Sequence, residues 1–267
     1  MANYTIRPIN TGFIPANLKL YHYHHSVTKY YPEIEAGMQM TPCFAFLLEN
    51  NGEYCLVDTG MSSTERANKY HHPGSQQDPG MAIHEQLAAL GIACEQIKTV
   101  ILTHMHWDHV YNLEKFKHAR IVANETELAF AKNPIPLYYK SYEHPFLGIQ
   151  APFTGLDIET CSGEQEILPG VRVFETPGHS PGHMSVEVET KCGKYIIAGD
   201  SAFRLDNFKA ISEIGYTVTP PSRFADIVSC WKSLEIQKNR CENLDHILMT
   251  HEISLIERCK ETPVIGL

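Results

Sequence analysis

The 267-residue sequence has no C-x-x-C pair, no run of basic residues and no apolar stretch approaching 18 residues. Each absence excludes something. Without paired cysteines there is no zinc-ribbon spacing, so the eight cysteines are expected to be reduced and mostly packed inside. Without a basic run, and with 31 acidic against 22 basic residues, neither nucleic acid nor an anionic membrane surface is an expected partner. Without a span of roughly 18 apolar residues no helix is expected to cross a membrane. The opening "MANYTIRPIN" lacks the basic-then-apolar order of a secretion signal, so a cytoplasmic location is expected.

What is present is an alternation of short strand-like and helical patterns over residues 1–267, read as a single domain of two βα halves. "CFAFLLEN" and "EYCLVDTG" flank Asn50-Asn51-Gly52 and predict a hairpin. "GMAIHEQLAALGI" places Ile83, Leu87 and Leu90 at helical spacing. "IKTVILT" and "ARIVAN" read as strands, and "NETELAFAKN" as a helix capped by Asn124. In the second half "VRVFETPG", "MSVEVET", "KYIIAGD" and "HILMT" read as strands. "RFADIVSCWKSLEIQKN" reads as a helix with Phe224, Ile227, Val228, Trp231 and Leu234 on one face, and "ISLIERCK" as a closing helix. A stretch near 132–153, rich in proline and aromatic residues, breaks this rhythm. It is expected to be a lid or binding loop, a packed surface excursion, or the contact of a homodimer.

Fifteen histidines punctuate the chain. His22 and His24 in "YHYHH" are expected to share one strand face in surface or edge roles, and His71 and His72 to lie in a turn. His104, His106, Asp108 and His109 stand apart, because "THMHWDH" follows an apolar strand directly. Sites in α/β proteins are generally built at strand ends. Alternation puts His104 and His106 on the same side of an extended chain, and Asp108 and His109 fall in the turn beyond. Imidazole nitrogens and carboxylate oxygens suit divalent ions such as Zn²⁺. Four ligands in six positions exceed what one tetrahedral ion takes from so short a run, which points to two ions. His179, Asp200 and His251 each follow a further apolar strand and complete the candidate set.

These residues resemble the H-x-H-x-D-H motif of the metallo-β-lactamase superfamily, and the likeness extends through "VDTGM", "TPGHSPGH", "AGD" and "MTHE". The resemblance implies an α/β fold, a four-layer αββα sandwich with metals at one edge of its two sheets. It implies that His104, His106 and His179 hold a first metal, that Asp108, His109 and His251 hold a second, and that Asp200 bridges both. Asp58 would support the ligands from behind and His183 would buttress the turn of His179. Among the subgroups, the N-acyl homoserine lactonases are most similar in length, compact C-terminus and ligand intervals.

Two departures stand out: Phe203 occupies the position of a tyrosine usual in that group, and "HVYN" replaces Gly-Gly-Asn after the motif. Phe203 would then pack against an apolar or aromatic substrate, or the missing hydroxyl would come from Tyr111, Tyr138, Tyr139 or Tyr142. The function implied is a metal-dependent hydrolase that opens lactone or ester bonds of a small-molecule substrate. The attack would use a hydroxide shared by two Zn²⁺, with Mn, Fe or Co as substitutes, and Asp108 would pass a proton to the leaving alkoxide. A glyoxalase-II-like thioester hydrolase, a mononuclear iron persulfide dioxygenase and a metal-bound sensor without turnover are the alternatives.

Overall fold

Apolar residues on both faces of "CFAFLLEN" require that the strand be covered twice. The computed structural model, which describes residues 3–34 and 37–267, shows how. Strands β1 (Thr5–Asn17), β2 (Met38–Asn50), β3 (Glu53–Val57), β4 (Ile97–Ile101), β5 (Arg120–Asn124) and β6 (Glu159–Cys161) form one sheet in that order among the described residues. Strands β7 (Gln165–Leu168), β8 (Val171–Glu175), β9 (Met184–Thr190), β10 (Gly193–Gly199) and β11 (Ile247–Met249) form the second, ordered β11-β10-β9-β8-β7. Phe44, Phe46 and Leu48 of β2 face the second sheet and meet Val173, Val186 and Ile197. Ala45 and Leu47, one step out of phase, pack instead with Ile83, Leu87, Phe116 and Leu128 on the outer face.

The helices are α1 (Leu18–Tyr21), α2 (Thr64–Tyr70), α3 (Ile83–Ala89), α4 (Trp107–Val110), α5 (Glu125–Lys132), α6 (Ile227–Arg240) and α7 (Ser254–Glu261). Helices α3 and α5 cover the first sheet and α6 the second, giving layers in the order αββα. The expected hairpin forms with Asn50 opposite Glu53, and Asn51 and Gly52 both take positive φ. Asn124 caps α5 as expected, its Oδ1 accepting from Thr126 N at 2.8 Å. Among the described residues, no helix is long and apolar enough to cross a membrane.

Four expectations need correction. Helix α6 starts at Ile227, because Asp226 accepts from Val228 N at 2.9 Å and caps it, so Phe224 lies outside. Its buried face is Cys230, Ser233, Leu234 and Gln237, while Val228 is 60% exposed. Gln237 is drawn in by polar partners, donating to Ser185 Oγ and Ser201 Oγ at 2.7 and 2.6 Å. Leu90 caps the end of α3 and is exposed. "YHYHH" is not a strand: β1 ends at Asn17, whose side chain caps α1, and the histidines follow in turns.

Candidate metal centre

Parallel pairing brings distant strand ends together. β3 runs parallel to β4, which sets Asp58 beside the Thr103–His109 loop, and β10 runs parallel to β11, which sets Asp200 beside His251. Backbone bonds tie the sheets at this edge, from Met184 N to Thr103 O at 2.8 Å and from Phe44 N to Thr250 O at 3.0 Å. Gly199 lets Asp200 turn in: its φ is +55°, and a Cβ there would stand 2.7 Å from His183 Nε2 and 2.8 Å from Thr103 Cβ.

All seven candidate ligands converge. His104 Nε2 and His179 Nε2 each lie 3.0 Å from His106 Nδ1. Asp200 Oδ2 is 3.4 Å from both His179 Nε2 and His251 Nε2, and its Oδ1 is 3.3 Å from His109 Nε2. Asp108 Oδ2 lies 3.5 Å from His251 Nε2. Asp200 thus stands between a three-histidine group and a group holding His109, His251 and Asp108. Cys43, read from sequence only as a packed thiol, also comes within 4.8 Å of the donor atoms of Asp108 and His251. Its thiol donates to the Asp108 carbonyl at 3.2 Å, and burial, then Asp108, push its pKa up.

Most of the outward-facing ring nitrogens are tied down, which aims the inner ones. His109 Nδ1 meets Asp58 Oδ2 at 2.8 Å, His251 Nδ1 meets Pro42 O at 2.7 Å, His179 Nδ1 meets Arg223 O at 3.3 Å, and His104 Nδ1 meets Thr103 Oγ1 at 3.2 Å. Such partners fix tautomer and ring orientation at metal sites. Asp58 also accepts from Thr103 N and Oγ1, both at 2.8 Å, so the acid of "VDTG" braces the motif loop as expected. His183 buttresses the turn of His179 as expected, its Nδ1 meeting Thr176 Oγ1 and its carbonyl accepting from Thr176 N, both at 2.9 Å, and its Nε2 also accepts from Asp200 N at 3.1 Å.

A divalent cation fits this donor set. His109 Nε2 and Asp200 Oδ1 are buried with no hydrogen-bond partner although they lie 3.3 Å apart. Leaving such atoms unpaired costs about 1–3 kcal/mol each. Burial, then the neighbouring imidazoles, hold His104 and His106 neutral, and burial lowers His179 to about 4. Neutral imidazole is the form that ligates. At His109 and His251 the carboxylates, Asp200 first, outweigh burial and raise the pKa. Burial would raise Asp200, but His251 and His109 outweigh it and hold it ionised.

Sequence reasoning missed several contributors. Glu127, an ordinary helix acid by pattern, is wholly buried. Its Oε1 accepts from Met105 N and Tyr142 Oη, and its Oε2 from Ser180 Oγ and Gly182 N, at 3.0, 2.8, 2.7 and 3.1 Å. One carboxylate thereby joins the His104–His106 loop to the His179 loop. His22 is buried against Phe203, not at a surface edge. The narrow cleft over the cluster, about 40 Å³, is lined by Tyr21, His22, His72, Trp107, Phe203 and Arg223 beside the ligands. None of the four tyrosines expected to supply a hydroxyl lines it. Tyr142 spends its hydroxyl on Glu127, Tyr138 reaches the Phe224 carbonyl, Tyr139 stacks on His144, and Tyr111 lies under Arg66. Tyr21 is the tyrosine present. The aromatic stretch is anchored at its centre, where Ser141 to Glu143 are buried, and bears Leu137 at 80% and Phe146 at 79% exposure.

Comparison with known proteins agrees with this geometry. The family model for the Metallo-beta-lactamase superfamily matches residues 39–240. An N-acyl homoserine lactonase of Bacillus cereus is 28% identical over 177 residues, 63% of this chain and 67% of that protein. A solved N-acyl homoserine lactone hydrolase, with the product N-hexanoyl-L-homoserine bound at its catalytic metal center, has a TM-score of 0.74 at 21% identity over 97% of both chains. AidC, a dizinc quorum-quenching lactonase, has a TM-score of 0.67 at 14% identity, covering 94% of this chain and 91% of its own. At those two identities the structural likeness concerns the fold.

Proposed function

The chain belongs to the metallo-beta-lactamase superfamily, and from that premise we propose that it is a dinuclear-metal hydrolase opening lactone or ester bonds, similar in activity to the N-acyl homoserine lactonases it matches. The observation that carries the reading is Asp200, with one oxygen toward His179 and His251 and the other toward His109. In this reading His104, His106 and His179 hold one divalent ion, Asp108, His109 and His251 hold a second, and Asp200 serves both. Zinc suits the mixed nitrogen and oxygen donors, with Mn, Fe or Co as substitutes.

Bound there, such ions supply a nucleophile by lowering the pKa of water from 15.7 to near 7, and they polarise a carbonyl. The chain's own residues do the rest. Asp58 and the Pro42 carbonyl hold the rings of His109 and His251 with Nε2 facing inward. Phe203, edge-on to His179 and His251 with ring centroids 5.6 Å away, excludes water from one side of the reacting centre. Asp108, at the cleft, would accept on an Oδ atom the proton of the attacking water or hydroxide and pass it to the departing alkoxide.

The test is metal analysis beside a substrate panel of N-acyl homoserine lactones, simple esters, acyl-thioesters and a persulfide. The expected result is about two divalent ions per chain and turnover of lactones or esters, with Asp200→Ala losing metal and activity together. One iron per chain with oxygen consumption, thioester turnover alone, or full activity in Asp200→Ala would end the proposal.

A further inference from the structure

Beside the cleft lies a second cavity of about 200 Å³ whose walls include Tyr21, His72, Trp107, Lys140, Ser141 and Arg223. Tyr21, His72, Trp107 and Arg223 line both spaces, so the cavity adjoins the cleft across these side chains, on the side away from Asp200. Its chemistry runs against that of the chain, which carries 31 acids to 22 bases. Among the described residues no carboxylate lines it. Among the described residues the Arg223 guanidinium donates to neutral oxygens, Ser141 Oγ at 3.1 Å and Tyr21 Oη at 3.4 Å, and lies over the Tyr21 ring. Lys140 Nζ donates to a carbonyl, that of His71, at 3.1 Å. Among the described residues neither cation forms a salt bridge, whereas Arg66, Arg120, Arg204 and Arg240 all do.

Two cations without a salt bridge among the described residues, one a planar fork suited to two-oxygen recognition, thus line a cavity that adjoins the cleft over the candidate ligands. Arg223 and Lys140 are the two cationic side chains of its lining, one arginine and one lysine. We infer that the acyl part of the substrate ends in an oxyanion, a carboxylate or a phosphate-type group, that docks between Arg223 and Lys140 while the lactone or ester bond lies at Asp200. This rests on the hydrolase reading for the orientation of the substrate. Arg223 is a specificity-determining residue in it. Its backbone carbonyl also meets His179 Nδ1, a contact that changing the side chain leaves in place.

The test uses three matched lactones on metal-quantified enzyme: N-pentanoyl-, N-glutaryl- and N-(4-phosphonobutanoyl)-homoserine lactone. The readout is the ratio of kcat/KM for an anionic lactone to that for the neutral one, which cancels any general loss of activity. The expected ratio is tenfold or more for at least one anion, and the larger ratio identifies the headgroup. Arg223→Gln should bring it close to one, and Lys140→Met, at an exposed site where folding is not at stake, should lower it in part. A ratio near one in the unaltered enzyme, or one that both variants leave intact, overturns the inference.

Binding separates this from failure of the hydrolase reading. If no lactone is hydrolysed, calorimetry with the ring-opened N-glutaryl- and N-pentanoyl-homoserine still decides it. Arg223-dependent preference for the former sustains the anion site, and equal binding removes it.

Discussion

Replacing Glu127 with glutamine changes almost no volume, yet it should loosen the metal centre from behind. The carboxylate accepts four hydrogen bonds, two of them from the backbone N–H groups of Met105 and Gly182, one at each oxygen. An amide can offer only one oxygen. The Tyr142 and Ser180 hydroxyls can turn to accept from the new NH₂, but a backbone N–H cannot. Whichever way the amide faces, one buried N–H meets another donor, at a cost of about 1–3 kcal/mol. The other bonds lose charge assistance, which roughly doubles hydrogen-bond strength.

Against this, burial raises the pKa of Glu127, which shows that its charge is costly to hold there, and glutamine removes that cost. The unpaired N–H sets the scale of the net loss, about 1–3 kcal/mol. Because the same carboxylate links the loops of His106 and His179, metal affinity should also weaken about 10–100-fold, as when outer partners of ligands are removed. Urea unfolding of metal-free protein reads the first effect, and competition with a chelator of known affinity reads the second. A variant that unfolds at the same urea concentration and holds metal as tightly would refute the reasoning.

Two further outcomes follow from the packing. Glu143 is buried, and although burial would raise its pKa, hydrogen bonds from Arg66 and His71 outweigh that and hold it below 4.5. A depressed carboxylate stabilises the fold above its unfolded value and loses that stabilisation as pH falls through the native value. Melting curves on the acid side of 4.5 should therefore fall less steeply in Arg66→Met than in the unaltered protein, and parallel curves would exclude the ion pair as the cause. Phe116, wholly buried between the first sheet and its helices, should cost about 3–5 kcal/mol on truncation to alanine, measured by denaturant unfolding; a loss under about 1 kcal/mol would mean that the layer repacks freely.

Much of this architecture was legible because strand ends carry their own signature. A polar ligand type directly after an apolar run located His104, Asp200 and His251, and Asn51-Gly52 located the hairpin, since both depend on local sequence alone. Strand β1 was not legible. Pro8 and Pro15 argue against a strand, but β1 lies at the sheet edge, where proline is tolerated. The buried face of α6 was misjudged because Gln237 is satisfied by serines 52 and 36 residues away in sequence. Glu127, Tyr21, His72 and Arg223 matter through contacts that no periodicity encodes. For Arg223 the telling feature is the lack of a carboxylate partner among the described residues, which only the fold reveals.

The first sheet contributes Asp58, His104, His106, Asp108 and His109 to the shared edge, and the second contributes His179, Asp200 and His251. Neither half carries a full complement, so the site exists only while the halves sit in register, like a lock whose bolt and keeper are on opposite doors. Any fluctuation that parts them there must release its ions, and free ion in solution must in turn oppose the parting by mass action. Amide exchange along that seam is thus a gauge of occupancy as much as of motion.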